Sequence, residues 1–223
     1  MTGMHGAGPL FVHTVTPSHS SAVSLPSASA SEASSLTAVA AIRTVRIFWV
    51  LALCICLLQA CPSTAASPLP SQASYEIGFS PMGTSLDIIL KAINSAEKTI
   101  LVAAYSFTSK PISAALVAAH KRGVAVWVVA DAKSNNGQYS AVTYLANHRV
   151  PVRVNSHYAI FHHKFMVIDG RHLETGSFNY SAAAVDKNAE NVLLLRDVPE
   201  IAGTYAREWE KLWKEGEEVK PRY

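Results

Sequence analysis

The stretch from 162 to 179 concentrates chemically able side chains: His162-His163-Lys164-Phe165-Met166-Val167-Ile168-Asp169-Gly170-Arg171-His172-Leu173-Glu174-Thr175-Gly176-Ser177-Phe178-Asn179. On an extended chain, side chains alternate between faces. His162, Lys164 and Met166 then share one face, and His163 and Phe165 the other. An imidazole and an ammonium therefore point the same way from neighbouring positions of one face. Asp169-Gly170 is a strong hairpin signal. The chain is expected to return through 172–174 to Gly176, where a missing Cβ lets backbone approach closely. Ser177 and Asn179 follow on a shared face. Imidazole, ammonium, hydroxyl and carboxamide at the end of one hairpin describe a phosphate pocket with a nucleophile in it. Two other uses of these residues stay open. A histidine on a strand is often structural, and His157, His162, His163 and His172 offer neutral imidazoles for zinc. Against a metal, His162 and His163 face opposite ways and Lys164 repels a cation.

The elements that must position this run read as alternating strands and helices. Thr84 or Ser85 caps a helix with Leu86, Ile89, Leu90 and Ile93 at helical spacing. Thr99–Tyr105 reads as a buried strand. Ser109 caps a second helix with Pro111 in its first turn, an apolar face of Ile112, Ala115, Leu116 and Ala119, and Gly123 at its end. Val124–Ala130 is a second apolar strand, Tyr139–Ala146 a third helix, and Val150–Val154 a further strand. After the hairpin come a strand at Asn191–Leu195 and a helix marked by Ile201, Tyr205, Trp209 and Leu212. The expectation is an α/β domain: a mixed, largely parallel β-sheet with helices on both faces.

The run also resembles the phospholipase D superfamily signature, His-x-Lys, four residues, Asp, then Gly-Ser-x-Asn. His162, Lys164, Asp169, Gly176, Ser177 and Asn179 stand at its positions. Over about residues 75–215 the chain is similar to the small exported bacterial endonucleases of that superfamily. Glu76–Pro81, Ala104-Tyr105-Ser106-Phe107-Thr108, Glu174–Asn179 and Lys187–Asn191 carry the likeness. The resemblance implies a phospholipase D-like phosphodiesterase that works through a phosphohistidine. One histidine attacks phosphorus, and a second protonates the leaving oxygen and then activates water. His162 is implied as nucleophile or acid, with Lys164, Ser177 and Asn179 holding the phosphate. Glu190 is implied to orient the His162 imidazole. Asp169 belongs to the signature and is expected to brace the pocket or a subunit contact. No metal or other cofactor is implied, because Lys and Asn stabilise the developing charge. Large members carry the signature twice and this chain carries it once, so an obligate homodimer with one shared site is expected.

Composition divides the chain. Residues 1–40 hold no Lys or Arg and one acid, Glu32, which predicts disorder for 1–41 or a start placed too early, with translation beginning nearer Ile42 or Val45. Residues 47–60 are almost wholly apolar, follow Arg43 and Arg46, and lead into small residues at 63–67. That is the layout of a signal peptide over 42–66, a retained membrane anchor being the alternative. Export to the periplasm or medium is expected, with membrane contact only through this segment. Leu58-Gln59-Ala60-Cys61 also resembles a lipoprotein processing site. Cys54, Cys56 and Cys61 all fall here, so residues 73–223 carry no disulfide framework and no thiolate metal site.

Arg43, Arg46 and Glu32 are the only charges before residue 73, so of the formal charge of +3 the domain keeps +2. This is not the strong excess of an overt nucleic-acid binder. Lys110, Lys133, Arg153 and Lys187 are candidates for a positive groove. The signature reads the phosphodiester and not what is attached to it. DNA or RNA is the expected substrate, and phospholipid headgroup release is the alternative. A catalytically dead nucleic-acid-binding module is a second alternative, disfavoured because every signature position is filled.

Overall fold

The computed structural model describes residues 66–137 and 140–222. The extension 1–41 and, apart from Ala66, the expected leader 42–66 lie outside them. The described residues belong to one compact unit. Its elements run β1 (Ser74–Ser80), α1 (Ser85–Asn94), β2 (Thr99–Ala104), α2 (Lys110–Lys121), β3 (Ala125–Asp131), α3 (Ala141–Asn147), β4 (Val152–Asn155), β5 (Lys164–Ile168), β6 (His172–Gly176), α4 (Ala182–Asp186), β7 (Glu190–Arg196), α5 (Pro199–Glu215) and β8 (Glu217–Glu218). Among the described residues no helix is long and apolar enough to cross a membrane.

One eight-stranded sheet has the order β1-β7-β6-β5-β2-β3-β4-β8. It is mixed, as expected, and covered by helices on both faces. The expected predominance of parallel pairing is corrected, because parallel ladders join only β2 to β3 and β3 to β4. Those are the strands linked by the crossover helices α2 and α3. Every other ladder is antiparallel, because β5 and β6 form a hairpin and β7, β1 and β8 return beside strands that run the other way.

Each central strand is buried on both faces, which is why β2, β3 and β5 read as apolar runs. Met166 and Ile168 of β5 join a core with Ile89 and Ile93 of α1, Ile112 and Leu116 of α2, and Leu145 of α3. Phe165 and Val167 point the other way, into a second core with Trp209 and Leu212 of α5. The indole N–H of Trp209 donates to the Val102 carbonyl at 2.8 Å, anchoring α5 across β2. Ser109 caps α2 by accepting from the Ile112 N–H, and Gly123 leaves it at φ +94. In α1 the buried stripe is Ile88, Ile89, Ala92 and Ile93, with Leu86 and Leu90 at its flank.

The Asp169-Gly170 hairpin forms with both residues at positive φ, +53 and +65, as a primed turn requires. The Asp169 carboxylate accepts from the backbone N–H of Glu97, Lys98 and Thr99 at 3.0, 2.7 and 2.9 Å. Burial pushes this carboxyl up, but the hydrogen bonds from Thr99, Glu97 and Lys98 outweigh it and hold it below the usual range. Asp169 thus ties the turn to the start of β2. Replacing it with Ala should remove a charge-assisted set of bonds and cost about 1.5–3 kcal/mol in chemical denaturation. kcat of the folded fraction should stay within a few fold. A large kcat loss at unchanged stability would contradict this bracing role.

Candidate active site

Five strand ends meet at one edge of the sheet. Lys164 opens β5 opposite Ala104 at the close of β2, and Phe165 faces Thr175 on β6. Gly176 closes β6 opposite Val192, and Glu190 opens β7 opposite Ser80. A Cβ at Gly176 would run into the Asn191 carbonyl oxygen, which accepts from the Phe178 N–H. This is the close approach that the glycine allows.

Two buried side chains from the end of β3 hold the loops that enter this edge. Asp131 accepts from the Phe161 N–H at 3.0 Å, fixing the backbone just before His162. Asn135 accepts from the Phe107 N–H at 3.0 Å and donates to the Tyr105 carbonyl at 2.6 Å, fixing the exit of β2. Sequence reasoning gave neither residue a part. Tyr105 is a further residue of the site it did not single out. Its ring lies 4.7 Å from the His162 ring, centroid to centroid, and 5.1 Å below the Lys164 ammonium. An aromatic with a polar tip at the end of an apolar strand was the available signal.

Lys164 is buried, only 7% exposed, on the Met166 face of β5. Its Nζ donates to the His162 carbonyl at 2.9 Å. Burial pushes the ammonium below its ordinary range, and the Glu190 carboxylate pulls it back up. An ammonium has three N–H donors, so one bond to protein leaves two for phosphate oxygens. His162 itself is exposed, with its ring against Tyr105. His163 faces the other way, edge-on to Phe161 and Phe165. Desolvation pushes its imidazole below the ordinary range, and Glu208 opposes that.

Ser177 and Asn179 follow β6 as expected. The Ser177 hydroxyl donates to Glu190 at 2.6 Å and accepts from the Asn191 N–H at 3.1 Å. Asn188 donates to the other Glu190 oxygen at 3.0 Å. The expectation that Glu190 orients the His162 imidazole is therefore corrected within one chain. Strand β6 separates β7 from β5, so Glu190 meets Ser177 and Asn188 instead. The Asn179 Oδ1 is buried without a donor among the described residues.

The signature does not assemble whole. Asp169 sits at the far end of β5 from Lys164, on the Glu97–Thr99 backbone. His172 lies at that end too, accepting from the Asp197 N–H at Nδ1. Among the described residues no three His, Cys, Asp or Glu side chains gather to hold a metal. Of the groove candidates, Arg153 is committed to α5, donating to the Trp213 carbonyl at 2.8 Å and stacking on its ring. Lys133 reaches the Ala159 carbonyl, and Lys110 and Lys187 stay exposed.

Behind Asn179 lies a pair that the chemistry does not touch directly. The Tyr180 hydroxyl donates to Glu174 at 2.6 Å, and both side chains are fully buried. The Tyr180 carbonyl accepts from the N–H groups of Thr108 and Ser109, so this pair seats the loop bearing Asn179.

The profile of the family described as "Cardiolipin synthase, PLD-like domain" matches residues 89–213. A mitochondrial cardiolipin hydrolase of Chlamydomonas reinhardtii is 34% identical over 135 residues, 60% of this chain and 60% of that protein. A phospholipase D of Rickettsia conorii is 32% identical over 139 residues, 62% of this chain and 69% of that protein. The chain thus spans less than two thirds of the algal relative's length. The crystal structure of Nuc from Salmonella typhimurium, a phospholipase D family member, is similar with a TM-score of 0.66 and 40% identity, covering 67% of this chain and 99% of that one. Fold and site together define an enzyme that works on phosphodiesters. The chain belongs to the phospholipase D superfamily.

Burial pushes the Glu174 carboxyl up to about 8, although the Tyr180 hydroxyl bond pulls it down. Its folded value lies above its unfolded one. Between about 4.5 and about 8 the folded chain keeps a proton that the unfolded chain has released. Stability should fall as pH rises through that window, by at most about 1.4 kcal/mol per pH unit from this group. Glu174→Gln keeps the acceptor for Tyr180 and removes the titration. Urea melts at pH 5 and pH 8 should show a smaller pH difference in the variant than in the unsubstituted protein. An equal difference would clear Glu174 of the effect.

Proposed function

We propose that the protein hydrolyses nucleic-acid phosphodiesters through a phosphohistidine formed on His162. One observation carries this reading. An exposed imidazole rests on Tyr105 beside a buried ammonium with two unengaged N–H donors. A ring nitrogen of His162 attacks phosphorus and the bond to the leaving oxygen breaks. Lys164 and Asn179 stabilise the charge on the equatorial oxygens, and Ser177 positions one of them. A second imidazole gives its proton to the leaving oxygen. It then takes a proton from water as that water attacks phosphorus, the P–N bond breaks and His162 is restored. Glu190 fixes the Ser177 hydroxyl.

The second imidazole is assigned to a second copy of the chain. Tyr75, Ile77 and Phe79 alternate along edge strand β1 and are 66, 52 and 64% exposed. They stand on one face of the sheet, beside Leu195, Leu193 and Asn191 of β7. Asn191 donates to Ser177, so this apolar stripe runs up to the catalytic edge. An exposed apolar stripe of this kind favours a partner surface, and a two-fold axis there supplies a His162 from each side. The likeness of the site segments to exported endonucleases favours nucleic acid over phospholipid, and the expected leader at 42–66 favours export.

His162→Ala should lower kcat by about 10⁴ or more with folding intact. Residual activity within tenfold would remove His162 from the mechanism. Activity should survive EDTA, and loss restored by zinc or magnesium would return the reading to metal chemistry. Equal co-expression of unsubstituted and His162→Ala chains should give about half heterodimer, each with one histidine in its site, so total activity should fall to about a quarter. A clean half would place the second imidazole in the same chain, with His163 or His157 tested first. The same preparation offered plasmid, RNA and phosphatidylcholine vesicles separately decides the substrate.

A further inference from the structure

A cavity of about 720 Å³ lies between α2 and α3 on the catalytic side of the sheet. Its lining includes Thr108 and Ala182, which follow shortly after Tyr105 and Asn179 in the chain. Three residues of chain reach at most about 10 Å, so this part of the lining lies within reach of the groups flanking a phosphate held by Asn179. The Ala141 N–H donates to the Phe107 carbonyl, and the Thr108 and Ser109 N–H groups donate to that of Tyr180. The cavity wall and the catalytic loop therefore share one backbone network.

The lining is mostly apolar, with polar residues at a few points. Lys110 is exposed in that lining, and among the described residues its ammonium makes no hydrogen bond or ion pair. Ala114, Thr143, Tyr144 and Asn147 line it as well. Asn147 has its Oδ1 engaged by the Arg222 N–H, which orients its amide N–H donors. Tyr144 is 40% exposed, and its ring lies 4.3 Å from the His148 ring, centroid to centroid. The His148 Nδ1 bonds the Tyr144 carbonyl at 2.8 Å, so this aromatic pair is held in place. An aromatic face, a few donors and an exposed cation suit a flat heterocycle carried on a phosphate chain.

We propose that this cavity is a subsite for a nucleoside flanking the scissile phosphate, with the ring against Tyr144, its polar edge at Thr143 and Asn147, and the adjoining phosphate at Lys110. The subsite rests on the nuclease reading and is separable from it by choice of substrate. It predicts that long substrates are bound by contacts that a small diester never makes.

The test uses the full chain and two substrates: a labelled single-stranded oligodeoxynucleotide, and methyl 4-nitrophenyl phosphate, whose one ring is the leaving group and whose methyl places nothing in the subsite. Tyr144→Ala removes the platform, and Ala114→Trp fills the cavity from an exposed helical position. Each should lower kcat/KM on the oligonucleotide about tenfold, the order of one base–aromatic stack. Turnover of the small diester should stay within twofold, which also reports an intact fold. Lys110→Gln should lessen the slope of log kcat/KM against log salt by about one on the oligonucleotide alone. Parallel losses on both substrates, or no loss on either, would overturn the subsite. An unsubstituted chain that cuts phosphatidylcholine vesicles and the small diester but no oligonucleotide would instead overturn the nuclease reading, and the subsite with it.

Discussion

The structure is organised around keeping one ammonium out of water. Lys164 begins a strand whose next residues on that face, Met166 and Ile168, sit in a dry core. A buried cation is costly unless its surroundings answer it. Here the answer is partial: the His162 carbonyl, the face of Tyr105 and the more distant Glu190 carboxylate. What remains unanswered is electrostatic demand, and an anion arriving at the sheet edge meets it. The loops around Lys164 follow from this need. Asp131 and Asn135, both buried, spend their hydrogen bonds on the backbone of Phe161, Tyr105 and Phe107, so the loops that carry His162 and Tyr105 are held beside the ammonium.

The domain's net charge is only +2, so its attraction for an anion depends on where its cations sit. Attraction is concentrated at one desolvated group instead of being spread over the surface. A charge in low dielectric acts more strongly than several in water. Some surface cations serve the fold, as Arg153 does on Trp213 and Arg196 on Glu76.

Much of this was legible beforehand, and the reasons differ by residue. Alternation along a strand depends only on backbone geometry, so the shared face of Lys164 and Met166 could be read directly. Asp169-Gly170 and Gly176 could be read because few residues tolerate positive φ or so close a backbone. Strand direction was harder, since an apolar strand looks the same in a parallel or an antiparallel ladder. The partner of Glu190 depended on β7 lying outside β6, a long-range fact with no local trace. Asp131 and Asn135 were missed for a related reason. Their work is done on backbone groups of distant loops, and spacing along the chain does not encode it.

Asp169 holds backbone at the far end of β5, whereas His162 and Lys164 stand where bonds change in the proposed reaction. The signature therefore joins two kinds of constraint in one short string. A descendant of this chain that ceased to cut phosphodiesters would be released from the first two positions but not from the third, because it would still have to fold. In sorting active from inactive relatives by sequence, the aspartate is then evidence of ancestry, and the histidine and lysine are evidence of trade.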